Sequence, residues 1–299
     1  LVAVGTGSME LGATSVTEVG LREREICLEF NQAVTGLRMN NAWIRPGGTA
    51  TDLPDNGMDL LRDLIARMED NLHELSEFTL QNPIFKSRMK GIARMELAQC
   101  MALGITGPTL RATGLPWDLR KTNPYIGYED YEFDVPTADT ADCYGRFVIR
   151  LEEMNQSVRI LKQVVKKLED TQGQRHMVDD PHIAWPAELA IGPDGQGNSH
   201  EHIKHIMGES MEALIHHFKV ITEGFKVPAG EVYQSIEGVA GELGCHLVSD
   251  GGVRPYRAHI RDTGFINVQS LPAMCEGGML SDVVPALASI DPVMGGVDR

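Results

Sequence analysis

Residues 142–168 read DCYGRFVIRLEEMNQSVRILKQVVKKL, and their spacing sets the fold class. Phe147, Leu151, Met154, Val158, Leu161, Val165 and Leu168 recur every three or four positions with charged residues between them. That period predicts an amphipathic helix from about Asp142 to Leu168, the longest in the chain, with those side chains as its buried stripe. Outward from it, Leu21, Ile26, Phe30, Val34 and Leu37 mark a helix over Leu21–Leu37. Met58, Leu61, Leu64, Ile65, Met68, Leu72, Leu75 and Phe78 mark another, with Asp55 and Asn56 as candidate N-caps. Further helical patterns cover Val2–Ala13, Ile203–Ile221 and Asp282–Ile290.

Between these lie segments of other character. Trp43–Pro54 reads as a loop, and Gly104–Pro136 carries Gly, Pro and Tyr with little periodicity. A loop of that length in a compact domain is expected to pack on a partner or a site. Asp179–Asn198 is polar and rich in Gly and Pro, as a surface insertion would be. After Pro228 the runs Val232–Ile236, Gly244–Val248 and Tyr256–Ile260 are β-like, with Ser249-Asp250-Gly251-Gly252 as a strong turn signal. The expected class is α+β, mainly helical, with a small antiparallel β meander near the C-terminus, in a single domain over 1–299.

Composition narrows the function. A formal net charge of −15 argues against a nucleic-acid partner, which needs clustered Lys and Arg. Cys27, Cys100, Cys143, Cys245 and Cys275 are far apart, and no C-x-x-C pair exists, so a locally built zinc or iron–sulfur site is not expected. These cysteines read as small core residues of a reducing compartment. No stretch approaches the ~18 apolar residues needed to span a bilayer. Leu-Val-Ala-Val-Gly at the start lacks a charged n-region and reads as the end of a helix already under way, so the chain is expected to begin inside a longer polypeptide.

Local motifs give no self-contained catalytic engine. His200-Glu201-His202-Ile203-Lys204-His205 fails the H-E-x-x-H pattern because Lys204 stands where the second His is needed. His202 and His205 read either as a solvated or partner-facing pair or as two ligands on one face. G-x-G-x-x-G, Walker-type and G-x-S-x-G signatures are missing. Arg45-Pro46-Gly47-Gly48 reads either as an anion-holding turn or as a helix-ending loop with an ion pair. Glu10 falls in an apolar helical stretch, where a carboxylate is costly unless paired or protonated. It is either a surface side chain or a proton donor, and Arg22-Glu23-Arg24-Glu25 could supply a partner charge.

The run Gly5-Thr6-Gly7-Ser8-Met9-Glu10-Leu11-Gly12-Ala13, followed by Arg22-Glu23-Arg24-Glu25, resembles the D-type subunit of the proton-pumping NADH–quinone oxidoreductases, respiratory complex I. The same resemblance continues through Thr35-Gly36-Leu37-Arg38-Met39, Gln81-Asn82-Pro83-Ile84-Phe85, Leu110-Arg111-Ala112-Thr113-Gly114, Trp117-Asp118-Leu119-Arg120-Lys121 and Val248-Ser249-Asp250-Gly251-Gly252. It closes with Asp291-Pro292-Val293-Met294-Gly295-Gly296-Val297-Asp298-Arg299. The insertion and Met9-Glu10-Leu11-Gly12-Ala13 resemble an actinobacterial branch.

The resemblance implies the fold of the nickel–iron hydrogenase large subunit. Hydrogenases end in a D-P-C-x-x-C-x-x-H pattern; here Val293 and Gly296 occupy the cysteine positions and Arg299 the histidine position, so the metal ligands are gone. It implies a quinone pocket in their place, beside a 4Fe–4S cluster carried by a neighbouring small subunit. Glu10 and Asp291 would be the catalytic carboxylates. Thr6, Val293 and Met294 would contact quinone, and Arg38, Arg45 and Arg299 would lie at the subunit or cluster interface. Metal, flavin and NAD are not expected on this chain. Its expected partners are the cluster-bearing subunit, other hydrophilic-arm subunits and the quinone-channel membrane subunit, at the cytoplasmic face of a bacterial membrane. The family's head-group histidine and tyrosine lie upstream of Leu1. Asn40 and Ala240 depart from the family's usual His and basic residue, and the latter removes an expected cation partner of Asp291. The alternative is a scaffold subunit of a related hydrogenase-like or non-NADH quinone-reducing complex.

Overall fold

The computed structural model describes residues 1–45, 47–178, 204–205, 208, 210–224 and 226–298. The expected insertion at Asp179–Asn198, as well as His200, His202 and Arg299, lies outside them. In chain order the helices and strands are α1 (Val2–Met9), α2 (Thr14–Thr35), β1 (Ile44–Arg45), β2 (Gly48–Thr49), α3 (Gly57–Phe78), α4 (Pro83–Met89), α5 (Leu97–Leu103), α6 (Pro108–Arg111), α7 (Leu119–Thr122) and α8 (Cys143–Asp170). They continue with α9 (Met211–Thr222), β3 (Gly230–Gly238), β4 (Gly241–Ser249), β5 (Arg257–Arg261), α10 (Thr263–Val268), α11 (Leu271–Cys275), α12 (Val283–Ile290) and α13 (Met294–Val297).

The long central helix forms where its period requires. Asp142 caps it by accepting from the Gly145 amide at 2.8 Å, which satisfies one orphan N–H of the first turn. Its apolar side chains divide between two clusters. Phe147 and Leu151 join Val4, Val16, Leu75, Phe85, Met89, Ile105 and Ile290. Val158 joins Leu61, Leu64, Ile65, Met68 and Leu72 of α3, with Met154, Leu161, Val165 and Leu168 packed at the edge. Phe147 meets Phe85 edge to face, with centroids 5.3 Å apart at 89°.

Helix α2 starts at Thr14 rather than Leu21, and it ends at Gly36 in the left-handed conformation. Helix α3 is preceded by Asn56, but that side chain makes no capping bond. Helix α1 stops at Met9, so the expected run to Ala13 is shortened and Glu10 sits at its C-cap. A Cβ on Gly7 would stand 2.5 Å from Phe147 Cζ, so only glycine lets α1 lie this close to α8.

The meander is antiparallel in the order β3-β4-β5, with Gly238 opposite Gly241 and Gly244 opposite Arg261. It is joined to the helical body through the loop expected to be busy. Arg111, fully buried, donates to Glu153 of α8 at 2.8 Å, to Glu237 of β3 at 2.8 Å and to the Trp117 carbonyl at 3.0 Å. The other oxygen of Glu237 accepts from the Leu119 amide at 3.1 Å. Within Gly104–Pro136, Arg111, Trp117 and Leu119 therefore meet at one ion cluster. Burial alone would push the Arg111 pKa down, but Glu153, Glu237 and Asp118 outweigh it and the net shift is upward.

Arg111→Leu leaves Glu153 and Glu237 buried without their common cation. It should cost about 3–5 kcal/mol of unfolding free energy, read as a lowered urea midpoint of the purified chain; an unchanged midpoint would show that the ion cluster does not hold loop, helix and sheet together.

Candidate functional site at the C-terminal turn

The expected site residues come from both ends of the chain, and the packing brings their elements together. Helix α1 lies against α2, α8 and α12. Thr6 is half-buried on α1 with its hydroxyl donating to the Val2 carbonyl at 2.8 Å, and Glu10 is exposed at the C-cap of that helix. Asp291 is the C-cap of α12 in the left-handed conformation, φ 51° and ψ 62°. An aspartate tolerates that region better than most residues, and here it turns the chain sharply out of the helix.

Beyond Asp291 the turn opens to solvent. Val293 is 63% exposed and Met294 65%. The short helix α13 then packs back on α10. Its Gly296 lies directly over Asp262, and a Cβ there would stand 2.5 Å from one carboxylate oxygen and 2.6 Å from the other. Asp262 is itself fixed as the N-cap of α10, accepting from the Phe265 amide at 3.2 Å. A carboxylate thus fills the space into which any side chain at position 296 would project.

The remaining expected residues are placed as follows. Arg38 is exposed and paired with Glu25 at 2.6 Å. Arg45 donates through Nε to the Ala42 carbonyl at 3.0 Å. In the same hairpin the Thr49 amide donates to the His176 carbonyl at 3.0 Å, and Val178 donates to the Gly47 carbonyl at 2.9 Å. The hairpin is thus tied to the stretch around residues 176–178. Leu37 and Met39 beside Arg38, and Ile44 beside Arg45, are large exposed apolar side chains. The charges that could have partnered Glu10 are used elsewhere: Arg22 bonds Glu23 at 2.5 Å and Glu74 at 2.7 Å, and Arg24 bonds Met39 Sδ at 2.8 Å.

Hydrophobic spacing passes over the side chains beneath the turn. Three residues on one face of α8 donate to α12: Cys143 Sγ to the Pro285 carbonyl at 3.5 Å, Arg146 to Ser289 Oγ at 2.9 Å, and Arg150 to the Ser289 carbonyl at 2.6 Å. Their spacing, i, i+3 and i+7, is that of one helix stripe, which is the signal that could have found them. Among the described residues no group of three or more His, Cys, Asp or Glu is placed to hold a metal. An apolar cavity of about 410 Å³ lies apart from the turn, lined in part by Val227, Pro228, Val232, Leu247, Val248 and Val253. Among the described residues no helix is long and apolar enough to cross a membrane.

The sequence profile of the family described as Respiratory-chain NADH dehydrogenase, 49 Kd subunit, matches residues 10–299. The chain belongs to that family. It is 79% identical, over its whole length and 69% of the relative's, to the D-type subunit of NADH-quinone oxidoreductase from Cutibacterium acnes. It is 60% identical to the second D-type subunit of the same oxidoreductase from Streptomyces coelicolor and 58% identical to that of a Nocardioides species, each over the whole chain and 67% of the relative. These actinobacterial relatives agree with the branch read from the sequence. As a 49 kDa family member the chain ends in a turn without thiolates, so the exposed Val293 and the covered Gly296 stand as its features.

Gly296→Ala should cost about 1–3 kcal/mol through the forced approach to Asp262. Asp262→Ser keeps a capping oxygen and shortens the side chain, so adding it should recover part of that loss. A double-mutant cycle on unfolding free energy reads this; strict additivity would show that the two positions do not collide.

Proposed function

We propose that this chain belongs to a proton-translocating NADH:quinone oxidoreductase and forms one wall of its quinone-reduction pocket, next to the terminal 4Fe–4S cluster of a neighbouring subunit. The observation that carries the reading is the open Asp291–Met294 turn. An apolar valine and a methionine, 63% and 65% exposed, project from the turn that follows the anchored end of α12. Exposed apolar side chains on fixed elements suit a face that a partner or a ligand covers. In this reading the fold is that of the hydrogenase large subunit, with its metal cradle converted into an apolar slot.

Quinone reduction needs two electrons and two protons, which turn two carbonyl groups into hydroxyls. A 4Fe–4S cluster on the neighbouring subunit would supply the electrons. This chain's residues bind, orient and protonate. Val293 and Met294 pack against the flat ring, Thr6 lies at its edge, and Glu10 and Asp291 are the carboxyl groups from which protons are passed on. Glu10 is exposed at a helix end, open to solvent. Arg38 and Arg45, beside the exposed Leu37, Met39 and Ile44, form part of the face toward other hydrophilic-arm subunits. Quinone arrives through the quinone-channel membrane subunit, and this chain is held at the cytoplasmic face by its partners.

Val293→Met should shift the potency of quinone-site inhibitors by roughly 5- to 150-fold, the equivalent of about 1–3 kcal/mol of altered packing. Inhibition curves on membranes carrying the assembled complex measure this, and superimposable curves would remove Val293 from the pocket. Glu10→Gln should lower quinone reduction by about a hundredfold with assembly intact; full turnover would take this carboxylate out of the proton relay.

A further inference from the structure

Arg146 and Arg150 are the least expected residues of the interior. Both are buried, at 0% and 5% exposure, one turn apart on α8. Unlike Arg111, they are satisfied by uncharged groups. Arg146 donates to Ser289 Oγ at 2.9 Å and to the Ala93 and Ala141 carbonyls at 2.7 and 3.3 Å. Arg150 donates to the Ser289 carbonyl at 2.6 Å. The Nε atoms of both are buried without an acceptor. Burying two incompletely satisfied cations is costly, and such a cost is retained where the position of something else depends on it.

That dependent element is the last turn of α12. The final carbonyls of a helix lack intrahelical donors, and a cation at that end is favoured by the helix dipole. Arg150 meets this need at Ser289, two residues before Asp291. Arg146 holds the same residue by its hydroxyl, and Cys143 holds Pro285 one turn earlier. Charges act on Arg150 from each side: Asp291 at the end of α12, Glu153 and Arg146 on α8, and Arg111 on α6. Burial pushes its pKa down, and the charge of Asp291 is the foremost influence opposing that shift.

We propose that Arg150, with Arg146 beside it, is the positioning residue of the quinone-facing turn: it fixes the end of α12 through Ser289, two residues before Asp291. The inference rests on the pocket reading given above. It differs from a purely structural role because the geometry at Asp291–Val293 would change before the fold does.

The test uses the assembled, membrane-bound complex carrying Arg150→Met or Arg150→Lys, with Val293→Met alongside. NADH oxidation with ferricyanide reports the intact electron entry. NADH oxidation with a short-chain quinone, titrated over concentration, gives quinone KM and kcat. Arg150→Met should lower kcat/KM for quinone by up to about a hundredfold while the ferricyanide rate holds. Arg150→Lys, which keeps a charge and one donor, should recover much of it. Wild-type quinone kinetics in assembled Arg150→Met overturns the proposal, as does an Arg150→Lys complex no better than Arg150→Met. Should Arg150→Met not assemble, Arg150→Gln decides: it is uncharged and too short to reach the Ser289 carbonyl as the guanidinium does, and an unchanged quinone KM overturns the proposal where a raised one supports it. If Val293→Met alters inhibition while Arg150→Met is silent, only the positioning role fails; if Val293→Met is silent too, the pocket reading itself has failed.

Discussion

Three guanidinium groups shut away from water, those of Arg111, Arg146 and Arg150, determine how the parts of this chain meet. A buried charge left without partners is so unfavourable that the groups around it are held to one arrangement, whatever the net gain in stability. Arg111 is surrounded by carboxylates from α8 and β3, and the irregular segment between α5 and α8 closes over it. Arg146 and Arg150 instead draw on carbonyls and a hydroxyl, and so fix backbone rather than other charges. The first cluster attaches the meander to the body. The second attaches the C-terminal helix and, with it, the turn that carries the proposed chemistry.

This division explains how a site can be built from residues near opposite ends of a chain without a long rigid frame. Helix α1 approaches α8 closely because Gly7 leaves room for Phe147, and α12 is bound to the same stretch of α8 by Cys143, Arg146 and Arg150. The start of α8 is thus a shared floor for both halves of the proposed site. Thr6 and Asp291 are positioned relative to that floor, and so to each other, while the side chains that would touch quinone remain open.

Most of the architecture is legible in the sequence because burial there follows simple periods. The apolar stripe of α8, the core face of α3 and the meander after Pro228 all lie where spacing places them. What escapes has one common cause: a pattern read by hydrophobicity assigns charged residues to solvent. Arg146 and Arg150 share a face with buried positions, yet their charge hides them from such a reading. Glu10 departs in the other direction. Its apolar neighbours suggest a continuing helix, but α1 ends at Met9 and leaves the carboxylate exposed. The start of α2 at Thr14 is hidden because its first turns carry few large apolar side chains. The terminal Asp-Pro-Val-Met-Gly-Gly is legible only through family resemblance, since no period marks it.

Asp262 supplies the physical reason the proposed site would take a neutral guest. Its carboxylate occupies the ground before Gly296 and accepts from the Phe265 amide of α10. A thiolate at position 296 would bring a second negative charge into contact with the first, and two such charges at that distance cannot both persist without a cation between them. Thiolate and carboxylate would compete for one space, and glycine at 296 leaves that space to Asp262. With glycine at 296 and valine at 293, what remains beside Asp291 is apolar surface and one fixed carboxyl. That pairing discriminates against a metal ion, which needs several donors. In the proposed reading it leaves room for a flat organic carrier that needs only packing and protons.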